Sequence, residues 1–153
     1  MARTPTKSPR AAAPIDQSAL RQLVGYNCRR AYLAIIGHSM KYMAEHDLRP
    51  TSFSVLALLE HNPGVNSRQV SQALGVRPPN LVAMIASFDE RGLIERRPDP
   101  KDGRSLGLHL TDEGRRLVTR VERALARAES RATSMISPRE RRTLIDLLSR
   151  IYS

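Results

Sequence analysis

The fold is decided by residues 66–114, which read NSRQVSQALGVRPPNLVAMIASFDERGLIERRPDPKDGRSLGLHLTDEG. Asn66 is followed three residues later by Gln69, which is the spacing of a helix capping box. Gly75 supplies the left-handed freedom that commonly ends a helix. The spacing therefore predicts a short helix over Ser67 to Leu74, closed by a tight glycine turn.

A second helix is predicted directly after that turn, from about Pro78 to Arg91. Its inner face is apolar and consists of Leu81, Ile85 and Phe88. Its outward positions are Pro78, Pro79, Asn80, Val82, Ala83 and Ser87. Two helices joined by such a turn form a helix-turn-helix, and the second helix of that motif enters the major groove of DNA. Asn80 can read an adenine edge there, while Pro79, Val82 and Ala83 can contact thymine methyl groups.

A β-hairpin is predicted after the second helix, with strands over 93–97 and 105–110. The loop between the strands is charged and rich in Pro and Gly, and it contains Lys101, Asp102 and Arg104. A charged hairpin beside a helix-turn-helix is a wing, and its tip can reach an adjacent minor groove. The central part of the chain is therefore predicted to be a winged helix-turn-helix.

Helices with apolar stripes are predicted on both sides of this motif. One runs from about Ile15 to His46, and a shorter one begins at Arg49-Pro50. Thr111 caps a long helix, and Ser137 begins the last helix in capping-box spacing. The terminal stripes are broad for a single small chain to cover. The predicted fold class is mainly α, a winged helix-turn-helix with a two-stranded β-wing and an α-helical dimerisation region.

The composition favours an anionic partner. The chain has 153 residues and a formal net charge of +10, with 25 Lys and Arg against 15 Asp and Glu. Such a balance is typical of proteins that bind nucleic acid. Residues 1–14 are basic and Pro-rich, which predicts a disordered N-terminal arm rather than a secretory signal. With a single cysteine, Cys28, and no long apolar run, we expect a bacterial cytoplasmic protein.

The motif residues resemble the MarR family of bacterial regulators. The resemblance rests on segments 48–53, 70–76, 91–98 and 99–104, and on Leu110-Thr111-Asp112-Glu113-Gly114. It implies a homodimer on palindromic double-stranded DNA, and small ligands, often aromatic acids, that release the DNA. The predicted organisation is an arm over 1–14 and a single MarR-like domain over 15–153. Within that domain, 15–47 and 111–153 form dimerisation helices and 48–110 form the winged helix-turn-helix.

The resemblance also implies roles for particular basic residues. Arg104 stands where the family has its minor-groove finger, and Asp102 can orient that guanidinium. Gly103 stands where the family usually has a second Arg, which weakens the backbone contacts expected of the wing. Arg68 and Arg77 are further candidates for phosphate or base contacts. The recognition helix departs from the family pattern, since Ala83 occupies a position that is commonly Arg.

Candidate effector-binding residues share one stripe of the first predicted helix. They are Asn27, His38 and Tyr42, with Arg30 nearby as a cation for a carboxylate. The sequence of this helix resembles regulators of aromatic-acid breakdown, so we expect an aromatic acid or its thioester as effector. The alternative for these polar residues is a structural role at the dimer interface.

The sequence also permits functions other than ligand-responsive regulation. Cys28 could sense peroxide, with Arg29 and Arg30 beside it, or it could be a small buried apolar residue. A non-specific architectural DNA protein is a further alternative. Enzymatic function is not expected, because the chain has neither a phosphate-cradling glycine loop nor a nucleophile motif, and no cofactor is expected.

Overall fold

The structure is a computed structural model that describes residues 15–98 and 106–152, apart from the side chain of His38. Its elements are α1 (Ser18–Arg21), α2 (Val24–Ala44), α3 (Pro50–His61), α4 (Ser67–Leu74), α5 (Pro78–Glu90), β1 (Ile94–Pro98), β2 (Leu106–Leu110), α6 (Asp112–Ala132) and α7 (Pro138–Tyr152). The chain forms two compact units, which divide between Leu33 and Ala34. Among the described helices, none combines the length and apolar character needed to cross a bilayer.

The first unit corrects the prediction of one continuous helix from Ile15. The chain becomes helical only at Ser18, and the helix is interrupted at Gln22 and Leu23. A side-chain hydrogen bond spans the interruption. The amide of Asn27 donates to the main-chain oxygens of Arg21 and Leu23, each at 2.8 Å. The Leu23 oxygen also accepts the regular helical bond from the Asn27 backbone N–H at 3.1 Å, so only the Arg21 oxygen takes the side-chain amide in place of a backbone partner.

In the second unit, the short helix of the predicted motif forms as expected. The Asn66 side chain accepts a hydrogen bond from the backbone N–H of Gln69 at 3.0 Å. The Gln69 side chain in turn accepts from the backbone N–H of Asn66 at 2.9 Å. Gly75 ends α4 in the left-handed region, with φ at +60°. The capping box and the glycine turn are therefore confirmed, and they set the start of α5.

The core of the second unit joins α3, α4, α5, the sheet and α6. The predicted inner face of α5 is confirmed, because Leu81, Ile85 and Phe88 are each at most 3% exposed. Their buried neighbours from other elements are Val55, Leu56, Leu59, Val70, Leu93, Ile94, Leu108, Leu110, Leu117, Val118 and Val121. Burial of this aliphatic layer stabilises the fold and fixes the orientation of α5, which leaves the opposite face of that helix in solvent.

The wing is a two-stranded antiparallel sheet that receives a third chain segment. β1 and β2 pair from Ile94 opposite Leu110 to Pro98 opposite Leu106. Val65 forms a bridge with Leu108, in which the Leu108 N–H donates to the Val65 oxygen at 2.9 Å. A Cβ at Gly107 would lie 2.6 Å from the Gly64 main-chain oxygen, so only glycine fits at this crossing. The local sequence pattern did not predict this long-range contact.

The start of α6 is fixed by Thr111 and by a close backbone approach at Gly114. The Thr111 hydroxyl accepts from the Gly114 N–H at 3.1 Å and donates to the Gly92 oxygen at 2.7 Å, which confirms the predicted cap. A Cβ on Gly114 would lie 2.1 Å from the Leu93 main-chain oxygen. The glycine of the Leu-Thr-x-x-Gly segment is therefore required for the close contact between α6 and the base of the wing.

The last helix begins at the predicted cap. The Ser137 backbone N–H donates to Glu140 at 2.7 Å, and this bond holds the pKa of the Glu140 carboxyl below its usual value. None of the described residues of α7 is buried in the chain. The apolar residues predicted for one side of α7 are Leu144, Leu147, Leu148 and Ile151. Much of that side is in solvent.

Candidate nucleic-acid interface

The solvent-facing side of α5 carries the residues predicted to read DNA. Pro79, Asn80, Val82, Ala83 and Ser87 are all exposed, and Val82 is 63% exposed. None of these side chains is ionisable, so the face combines one amide, one hydroxyl and apolar surface. Such a face can read bases through the Asn80 amide and through contact with thymine methyl groups.

Two exposed arginines stand beside the N-terminal end of α5. Arg68 lies on α4, and Arg77 is the residue that precedes α5. Neither guanidinium forms an ion pair with another residue in the described part of the chain. Arg68 lines a groove of about 470 Å³ between α4 and α5, together with Ser71, Gln72 and Val82. The predicted phosphate-binding residues are thus placed next to the helix that would enter the major groove.

A second groove, of about 560 Å³, flanks the other side of α5. It brings Asn80, Ala83 and Ser87 together with Arg49 and Thr51 from the start of α3. The position of Arg49 near the recognition helix was not predicted from the sequence. The available signal was an arginine directly before the proline that begins a helix, but only the packing of α3 against the core shows which surface it joins.

The base of the wing holds its arginines in local ion pairs. Arg96 lies 3.4 Å from the Asp89 carboxylate, and Arg97 pairs with Glu95. These two guanidinium groups are partly neutralised within the chain. The predicted tip residues Lys101, Asp102 and Arg104 lie outside the described residues.

The predicted effector residues fall in both units of the chain. In the first unit, Asn27 and Arg30 are exposed, and Cys28 is half-buried. Both amide hydrogens of Asn27 are engaged by main-chain oxygens, so this side chain offers a ligand only its Oδ1 acceptor. In the second unit, Tyr42 is half-buried, and its ring meets that of His46 edge-on, with centroids 5.0 Å apart. The side chain of His38 lies outside the described part.

Tyr42 lines a cavity of about 170 Å³ between the C-terminal part of α2 and α6. The other lining residues include Ser39, Arg127 and Arg131. Neither arginine was predicted from the sequence to be a neighbour of Tyr42. The sequence shows their spacing on one helix, but it does not show that they line the same cavity as Tyr42.

A helix-turn-helix with an exposed second helix, followed by a two-stranded wing, defines a DNA-binding protein of the winged-helix class. Residues 46–105 match the sequence model of the MarR family. YkoM of Bacillus subtilis, an HTH-type transcriptional regulator, is 34% identical over 121 residues, which are 79% of each chain. The chain belongs to the MarR family of transcriptional regulators.

Solved structures of CouR are similar along most of the chain. The transcriptional repressor CouR bound to a 23-mer DNA duplex is 36% identical, with a TM-score of 0.82, over 92% of this chain and 100% of that one. CouR from Rhodococcus jostii RHA1 bound to p-coumaroyl-CoA is 31% identical, with a TM-score of 0.79, over 88% of this chain and 94% of that one. The relatives are regulators, which agrees with a non-enzymatic chain.

Proposed function

We propose that this chain is a transcriptional repressor that binds a palindromic operator as a homodimer and leaves it when an aromatic acid or its CoA thioester binds. The observation that carries the proposal is the exposed face of α5, held outward by the buried Leu81, Ile85 and Phe88. The similarity to CouR bound to a 23-mer DNA duplex supports DNA binding by this chain.

In this proposal α5 lies in the major groove and the arginines around it bind phosphates. Asn80 reads an adenine, and Val82 with Ala83 contacts thymine methyl groups. Arg68 and Arg77 fix the register through the backbone, as phosphate contacts do in most protein–DNA complexes. Lys101, Asp102 and Arg104 complete the interface at the minor groove, as the family resemblance implies.

The dimer is proposed from the exposed apolar surface of α7. Leu144, Leu147 and Ile151 are 41%, 51% and 67% exposed in the single chain. A helix of 15 residues gains most of its stability from packing of an apolar face. A second copy of the chain would cover this face, and two winged motifs related by a two-fold axis would then match the two halves of a palindrome.

The effector is proposed from the candidate residues and from the p-coumaroyl-CoA bound to CouR. Tyr42 lines a cavity beside α6, and Asn27, Arg30 and His38 are the other candidates on the same helix, α2. A ligand weakens operator binding only if it binds the two states of the protein with different affinity. Ligand contacts on α2 that favour the DNA-free state would provide that difference.

A duplex selected from a random library tests the DNA-binding part of the proposal. At one fixed salt concentration, we expect the selected duplex to bind at least about 10³-fold more tightly than random DNA. Asn80→Ala should lose about 1–3 kcal/mol of that preference, whereas Glu90→Ala, at the end of the same helix, should keep it. Equal affinity of the wild-type protein for selected and random duplexes would favour an architectural protein instead.

A further inference from the structure

A small cavity in the second unit is lined by two arginines. Its walls come from Ser39 and Tyr42 of α2 and from Arg127 and Arg131 of α6, and its volume is about 170 Å³. Two alanines of α6, Ala124 and Ala128, complete the lining. Ligand pockets for whole small molecules are usually about 300–1,000 Å³, so this cavity suits one compact group at the end of a larger ligand.

The arginines of this cavity belong to a run of uncompensated positive charge. Arg123, Arg127 and Arg131 follow one another at four-residue intervals, which places them on one side of α6. None of the three forms an ion pair with a residue that the structure describes. Like charges at this spacing repel each other along a helix, and an anion that bridges them relieves the repulsion.

The N-terminal part of the same helix shows the contrasting arrangement. Glu113 pairs with Arg116 at 2.8 Å and with Arg120 at 3.4 Å. The Arg116 guanidinium holds the pKa of the Glu113 carboxyl below its usual value, so this acid stays charged and compensates both arginines at neutral pH.

The acidic side chains in the C-terminal part of α6 pair with residues other than these three arginines. Glu122 lies 4.0 Å from His61, and Glu129 pairs with Arg141 of α7 at 2.9 Å. The positive charge at Arg127 and Arg131 is therefore not neutralised by any residue that the structure describes.

The free hydrogen-bond donors around the cavity come from the two arginines and from Tyr42. Each guanidinium presents a planar fork of N–H groups that matches the oxygens of a phosphate. The Tyr42 hydroxyl forms no hydrogen bond with any residue in the described ranges, so its proton is available to an anion. The Ser39 hydroxyl already donates to the Ile36 oxygen at 3.0 Å, so Ser39 shapes the wall without donating.

We propose that Arg127 and Arg131, with Tyr42, bind a phosphate group of a phosphorylated effector, the phosphate-bearing half of a CoA thioester. The inference rests on the proposed function, because it specifies which of the two proposed effector classes the regulator takes. A free aromatic acid carries one carboxylate and gains little from three neighbouring arginines. An organic polyphosphate neutralises all of them, and Arg123 extends the site along α6 toward further phosphate groups.

Isothermal titration with coenzyme A, which lacks the acyl group, tests the phosphate site alone. The full-length wild type should bind coenzyme A, and binding should weaken as salt is raised. The double variant Arg127→Gln, Arg131→Gln should bind it at least about tenfold more weakly, since charge-assisted hydrogen bonds are lost. Arg142→Gln, an exposed position on α7, should bind as the wild type does.

Further measurements distinguish a failure of this inference from a failure of the proposed function. Circular dichroism should show the double variant folded, and inorganic phosphate should compete with coenzyme A only weakly. A folded wild type that does not bind coenzyme A, or a double variant with wild-type affinity, would overturn this inference alone. An operator complex that no aromatic acid and no aromatic CoA thioester releases would contradict the proposed function instead.

Discussion

The Arg91 guanidinium donates a hydrogen bond to the main-chain oxygen of His46 at 2.8 Å, and a second one to that of Asp47 at 3.2 Å. Arg91 is the residue that follows the recognition helix α5, and His46 lies in the turn that follows α2. The turn contains an unusual backbone conformation, with φ at +49° for Asp47. The end of the recognition helix is thus tied to the helix that carries Tyr42, whose ring contacts that of His46.

Replacement of Arg91 by Ala should loosen this connection. We expect a loss of about 1 kcal/mol in the free energy of unfolding, because two exposed carbonyls exchange a charged donor for water. The response of operator binding to ligand should also fall, measured as the ligand-induced change in operator affinity. Arg91→Lys is the matched control, since it keeps the charge but lacks the fork that spans both oxygens. An Arg91→Ala protein with unchanged stability and ligand response would show that the contact has no mechanical role.

Gly114→Ala should destabilise the protein strongly. The new Cβ would lie 2.1 Å from the Leu93 oxygen, and that atom belongs to backbone that cannot move without disturbing the wing. We expect a loss of about 1–3 kcal/mol in urea unfolding, as in other overpacked sites. Gly37→Ala is the control, because nothing lies within 4 Å of a Cβ there and a helical alanine is favourable. Equal stability of the two variants would refute the close approach.

The capping hydrogen bond of Asn66 should contribute measurably to the stability of the protein. Asn66→Ala removes the acceptor for the Gln69 N–H and should cost about 0.5–2 kcal/mol in thermal or urea unfolding. Asn66→Asp retains an acceptor of the same length and should remain near the wild-type stability. If the aspartate variant were as unstable as the alanine variant, the amide of Asn66 would have another function than capping.

A charge on the apolar side of α7 should separate the proposed dimer. Leu147→Glu places a carboxylate where the single chain leaves the side chain 51% exposed, and burying that charge against a second copy is unfavourable. Sedimentation at micromolar concentration should show the wild type as a dimer and Leu147→Glu as a smaller, less stable species. Arg142→Glu, on the opposite side of the same helix, should remain dimeric. A stable wild-type monomer at that concentration would contradict the proposed assembly.

Much of the motif could be predicted from the sequence because its signals are local. The capping pair of Asn66 and Gln69, Gly75 and the Thr111 cap each act over three or four residues, and all appear as expected. The interruption at Gln22 was not predicted, because a regular apolar periodicity does not show that the Asn27 side chain bonds the Arg21 main-chain oxygen across it.

The features that were missed depend on contacts between distant segments. The crossing of Gly107 over Gly64 and the position of Arg49 beside α5 follow from tertiary packing. Periodicity places Arg127 on a helix face, but it does not show that Tyr42 lies across the cavity. The exposed face of α5 could be predicted from the sequence, because burial of Leu81, Ile85 and Phe88 determines which side of the helix remains in solvent.

The spacing of the operator halves tests the central claim most directly. Fluorescence anisotropy at one salt concentration compares the selected operator with the same duplex lengthened by about 5 base pairs, half a helical turn, between its halves. A dimer that places two α5 helices in successive major grooves should bind the lengthened duplex nearly as weakly as random DNA. Wild-type affinity for the lengthened duplex would contradict binding of a palindrome by a two-fold symmetric regulator.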